Sequence, residues 1–142
     1  MEQQPSAVTP AASRGGLAAA IERGKLARRQ WTLDGTLLSQ KTFAARRDMA
    51  PDALVALEAQ GRVFSLEIDG VRWYPAELLR MDAGDAEALC AALAELEPTV
   101  KLGFLMRRHG ALAGMTAASS IAEGGINRVL ALASAWRSEA AL

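Results

Sequence analysis

One cysteine and one histidine in 142 residues leave the chain without an internal disulfide and without the ligands for a His/Cys zinc site. With a single imidazole, catalytic triads and histidine-based acid/base chemistry have almost nowhere to reside. Aromatic residues make up only 5%, so Trp31, Trp73 and Trp136 stand out as large anchors. No apolar run approaches the roughly 18 residues of a membrane span, and the N-terminal segment lacks a signal-peptide core. Paired carboxylates, phosphate loops and metal-ligand spacings are also missing. The expectation is a cytoplasmic protein that is not an enzyme, with no cofactor, no metal and no membrane contact.

What is present is an ordinary soluble composition, 51% hydrophobic with 16 basic and 16 acidic residues, enough for one domain or two very small ones. A chain of this length buries roughly 68–70% of its unfolded surface and folds without staples. The zero net charge is a sum of unlike parts. Residues 17–50 carry seven basic and three acidic groups, residues 51–100 three and ten, and residues 101–142 five and two, for nets of +4, −7 and +3. Such asymmetry fits a polyanion or an acidic partner on one side, or else scattered solvated faces.

Residues 1–16 combine Pro, Ser, Gly and Gln with few large apolar side chains and read as a disordered tail. A basic helix is expected from Leu17 to Trp31, broken by Asp34-Gly35. Ser39 is a good N-cap for a helix to about Arg47, with Phe43 and Ala44 inward. After a short turn, Pro51 opens a third helix that Gly61 ends. Two short helices across such a turn form a helix-turn-helix candidate.

Val63–Ile68 and Val71–Tyr74 then alternate around Asp69-Gly70, the chemistry of a type I′ hairpin turn. The two-residue loop pairs Ile68 with Val71, Glu67 with Arg72, Leu66 with Trp73 and Ser65 with Tyr74. In that register Trp73 is expected in the core opposite Leu66, and Glu67 and Arg72 as an ion pair. Pro75 stops the strand and starts a short helix to Arg80. The remainder reads as four short helices: one capped by Asp85 and closed by Pro98, one from Thr99 to Arg108, one capped by Thr116, and one from Ile126 to about Arg137. The expected fold is therefore mainly α. Residues 17–80 form a winged helix-turn-helix-like half with one β-hairpin as its wing, and residues 81–142 a small C-terminal helical bundle.

Two blocks carry a resemblance to a known family. From Ala20 to Leu79 there is a basic lead-in helix, then Leu37-Leu38-Ser39, a helix-turn-helix, and a Gly61-Arg62 step into a hairpin ending in Tyr74-Pro75. From Lys101 to Trp136 the order is Phe104-Leu105, then Leu112, Gly114 and Thr116, a short helix closed by Gly, then Val129-Leu130 and Ala133. Together they span about two thirds of the chain, and they resemble the Xre/MbcA/ParS-type antitoxins that accompany RES-domain toxins. The resemblance implies a DNA-binding transcriptional regulator whose C-terminal helical domain binds the toxin, with residues 136–142 against the toxin's active site. The partners implied are DNA, a RES-domain toxin, and further copies of the chain in a homodimer or higher oligomer.

Residues 51–60 depart from the family's recognition helix, which resembles Ser-Arg-Gln followed by several cations. Here the helix is acidic, with Asp52 and Glu58 expected to face the polyanion and only Gln60 offering a base-edge amide. The candidate DNA contacts are Arg28, Arg29, Lys41, Arg46, Arg47, Gln60, Arg62 and Arg72, within a wider basic set that includes Arg23 and Lys25. The candidate partner contacts are Arg107, Arg108, His109, Trp136 and Arg137. The alternative is a protein-interaction or oligomerisation module with a degenerate helix-turn-helix that does not read DNA. Cys90 is expected to pack as a small hydrophobe.

Overall fold

The computed structural model describes the backbone of residues 5–141 and the side chains of residues 16–140. The first helix, α1, spans Pro5–Leu33, so the segment from residue 5 to 16 that reads as a tail continues the helix. Residues 1–4 of that expected tail lie outside the described residues. From Leu17 onward, alanine with Lys, Arg and Gln suits a helix, whereas the added residues 5–16 include Pro10 and Gly15-Gly16, which do not favour one. It ends where Asp34 bonds the amide of Thr36 (2.9 Å) and Gly35 turns to φ +86°.

A short strand follows, β1 (Leu37–Ser39). Ser39 then caps α2 (Gln40–Arg46), its Oγ accepting from the Thr42 amide at 3.2 Å, while Phe43 and Ala44 turn inward. Asp48 takes a left-handed φ of +56°, and the Met49 amide reaches back to the Ala44 carbonyl at 2.9 Å. That closes α2 with a non-glycine residue in the position glycine usually fills. Pro51 opens α3 (Pro51–Ala59). Gly61, at φ +75°, ends it, and the Arg62 amide bonds the Leu57 carbonyl at 2.9 Å.

The hairpin has the expected register. Strands β2 (Leu66–Ile68) and β3 (Val71–Pro75) pair Leu66 with Trp73, Glu67 with Arg72 and Ile68 with Val71. Asp69 and Gly70 both sit at positive φ, as a type I′ turn requires. Val63 to Ser65 lie outside the ladder, however, so the expected Ser65–Tyr74 pair does not form; Val63 and Phe64 are buried as loop residues. The unforeseen partner is β1, whose Leu37, Leu38 and Ser39 pair with Pro75, Tyr74 and Trp73. The result is a three-stranded antiparallel sheet in the order β1-β3-β2. Tyr74, not Trp73, is the fully buried aromatic of β3; Trp73 is half-buried at the margin of the core.

A 3₁₀ turn (Ala76–Arg80) leads to α4 (Ala83–Ala92). Asp82 rather than Asp85 takes the position before this helix, and Leu93 and Leu96 lie beyond its end yet remain buried. Pro98 does not merely close a helix: it starts α5 (Pro98–Met106). Thr116 caps α6 (Ala117–Ala122) by accepting from the Ser119 amide at 3.2 Å. The last helix, α7, covers Ile126–Ala141, longer than expected. A side chain at Gly125 would collide with Ser120, whose carbonyl the Gly125 amide bonds at 2.8 Å, so glycine sets the close approach of α6 and α7. Buried residues from Leu37 to Ala133 form one apolar cluster that runs through both halves of the chain. No helix among the described residues is long and apolar enough to cross a membrane.

Candidate nucleic-acid and partner interfaces

Glu58 is where the site differs most from expectation. Instead of facing outward from α3, its carboxylate turns onto the hairpin: Oε2 accepts from Ser65 Oγ at 2.6 Å and Oε1 from the Tyr74 hydroxyl at 2.7 Å. Arg72 Nη1 lies 3.5 Å from Oε1, and the Glu58 side chain is only 22% exposed. Short bonds to an ionised acceptor are the strong kind. Burial, with Glu58 alongside, pushes the Tyr74 hydroxyl up to about 12. Arg72 thus pairs with Glu58, and no ion pair joins it to its cross-strand neighbour Glu67 among the described residues. The outer face of α3 is left with Pro51, Asp52, Ala53, Val55, Ala56, Ala59 and Gln60, all exposed and without a cation.

The remaining candidate DNA contacts divide by whether the fold already uses them. Arg47 points inward, Nη2 donating to the Leu78 carbonyl at 2.6 Å, and ties α2 to the turn before α4. Burial pulls its pKa below the ordinary value, with Asp82 and Glu87 opposing. Arg62 pairs with Glu87 of α4 at 3.5 Å. Arg29 reaches Asp69 of the hairpin turn at 3.4 Å. Lys41 and Arg46 are exposed on α2, and Arg28 is half-buried on α1; none of the three has an ion-pair partner among the described residues.

In the C-terminal half, His109 is a core residue rather than an exposed contact. It is 5% exposed, and its Nε2 donates to the Phe104 carbonyl at 2.9 Å. Its ring lies 4.7 Å from Phe104 and 5.5 Å from Trp136. Phe104 meets Trp136 edge-on at 5.0 Å. The loop that holds His109 is closed by the Leu112 and Gly114 amides, which both donate to the His109 carbonyl, with Ala113 and Gly114 at positive φ. Arg107 stands over the Trp136 ring, 6.0 Å from its centre. Arg137 turns back to α4, bonding the Ala92 carbonyl at 3.4 Å beside Glu95 at 3.9 Å. Arg108 is exposed. A surface groove runs past Arg107, Ala111, Leu132, Trp136 and Glu139. Leu132, Ala111 and Glu139 were invisible to sequence reasoning, since only the docking of α7 against the loop before α6 brings them together.

Cys90 is buried, as expected, and burial pushes its thiol up to about 12. No group of His, Cys, Asp and Glu among the described residues is arranged to hold a metal ion. Comparison of the chain with family models, with curated proteins and with solved structures gives no match.

Proposed function

We propose that the protein is an antitoxin-like regulator that works by binding rather than catalysis. Its C-terminal helices hold a protein partner of the RES-domain toxin type, and its winged helix-turn-helix-like N-terminal half engages DNA through the phosphate backbone. Base sequence is not read by α3. The observation that carries this last point is the outer face of α3, which offers no cation, one carboxylate and, at its C-terminal cap, the single amide of Gln60, where base readout uses several Arg, Lys, Asn or Gln side chains. Support for a partner site comes from the groove beside Trp136, where an aromatic and an arginine, residue types favoured at binding hot spots, line one surface.

The test has two arms. Co-expression with the product of a neighbouring RES-domain reading frame should give a complex that Trp136→Ala weakens; no complex overturns the partner assignment. A promoter duplex from the same locus and a scrambled duplex of equal composition should bind with equal affinity. A tenfold or greater preference for the promoter would mean that bases are read after all. A second reading, a pure interaction module without DNA contact, is favoured by the small apolar residues Ala53, Val55, Ala56 and Ala59 exposed on α3.

A further inference from the structure

Lys25, Arg28 and Arg29 of α1 fall at i, i+3 and i+4 and therefore share one helix face. Lys25 and Arg29 are about half exposed on that face, at 51% and 53%. The face forms one wall of a cleft of about 240 Å³ whose other wall is the hairpin turn, with Glu67, Ile68 and Asp69. The cations differ in how firmly they are held. Arg29 is engaged by Asp69 at 3.4 Å. Lys25 has only Glu22, 3.6 Å away within its own helix, with both side chains more than half exposed, the kind of pair that contributes little and exchanges readily. Arg28, half-buried at the cleft, has no carboxylate partner among the described residues.

We propose that this cleft seats the phosphate backbone of double-stranded DNA, so that the polyanion lies between α1 and the hairpin turn instead of along α3. The inference rests on the reading that the N-terminal half engages DNA, and it names the place. Three cations against two carboxylates in the lining, with Glu22 of α1 also beside Lys25, leave the cleft at most weakly positive, which suits one stretch of a polymer better than a lone small anion. A polymer gains affinity from counterion release summed over several phosphates, and a single phosphate does not. The lining holds no Asn or Gln side chain, and one of its two guanidinium groups, Arg29, is engaged by Asp69, so binding there is neutral to sequence.

The carboxylates supply a sharp test, because they repel a phosphate far more strongly inside the cleft than at a distant surface. The probe is a fluorescein-labelled 20-base-pair duplex of arbitrary sequence, followed by anisotropy between about 50 and 200 mM salt. Lys25→Ala with Arg28→Ala should weaken binding roughly tenfold at the low end and flatten the salt slope by about two. Glu67→Gln with Asp69→Asn should tighten it roughly two- to fivefold; Asn-Gly is a favoured type I′ turn, so the hairpin is kept. Glu95→Gln with Glu97→Gln makes the same charge change at exposed positions away from the cleft and should leave affinity almost unmoved. Equal tightening by the two acid pairs, or an unchanged salt slope in the lysine–arginine variant, would overturn the cleft while leaving DNA binding intact. A wild-type chain that fails to retain the duplex at low salt would overturn both.

Discussion

The hairpin has two flanks, and they use the same kinds of side chain in opposite ways. Against α3, the polar groups satisfy one another: Glu58 takes the hydroxyls of Ser65 and Tyr74 on separate oxygens and keeps Arg72 close. Against α1, only Arg29 is matched to the hairpin, while Lys25 and Arg28 line an open cleft. The polar groups on the α3 flank are thus consumed by the fold, and the flank with unspent charge is the one beside α1. A candidate-residue roster built from charge alone cannot separate these cases. What separates them is whether each charge already has a partner.

The largest expected effect tests which aromatic holds the α3 flank. Tyr74 is fully buried and its ring packs 5.5 Å from Phe43, so Tyr74→Ala should cost about 3–5 kcal/mol in denaturant unfolding. Trp73, only half-buried, should cost about 1–2 kcal/mol on the same substitution, since less apolar area leaves water. Equal losses would mean that the two sides of β3 are packed alike and that the contrast between flanks is false.

Next in size is the carboxylate itself. Glu58→Ala strands the Tyr74 hydroxyl at a buried site and should cost about 2 kcal/mol, whereas Glu58→Gln, which still accepts from one hydroxyl, should cost about half as much. The pH dependence follows from Tyr74 on this flank and from Cys90 on α4. Tyr74 is pushed up to about 12 from 10.0, and buried Cys90 to about 12 from 9.0. Both groups hold their protons more tightly when folded than when unfolded. Their contribution to stability is complete below about pH 9 and declines as the pH rises from there through 12. Thermal unfolding across that window should fall steeply in the wild type, and less steeply in Cys90→Ala and in Tyr74→Phe. A slope unchanged in both variants would remove these two groups as its cause.

How legible each flank was in the sequence follows from how local its causes are. The hairpin register was readable because Asp69-Gly70 fixes the turn, and the turn fixes every pair after it. The caps at Ser39 and Thr116 were readable for the same reason, each depending on a residue three places on. Strand β1 was not, because three residues carry no alternation and their pairing with β3 is a tertiary event. The direction of Glu58 was hidden too. Its partners lie 7 and 16 residues later in the chain, and a carboxylate on a short helix looks solvent-facing until the strand arrives. His109 misled in the same way: a lone histidine after two arginines reads as a basic surface, yet a carbonyl five residues earlier and the Trp136 ring from α7 enclose it.

The smallest expected effect completes the contrast between the flanks. If the cations of α1 are held in reserve rather than built into the fold, removing one should hardly register in stability. Arg28→Ala should change unfolding free energy by no more than about 0.5 kcal/mol, against the larger cost at Glu58. Arg29→Ala should do little more, because its pair with Asp69 is exposed on both sides, at 53% and 67%. Arg47→Ala supplies the opposite control. Its guanidinium is bonded to the Leu78 carbonyl, so its loss should destabilise by about 1–3 kcal/mol. A loss at Arg28 as large as that at Arg47 would show that the α1 face is structural, and the hairpin would then have two consumed flanks instead of one.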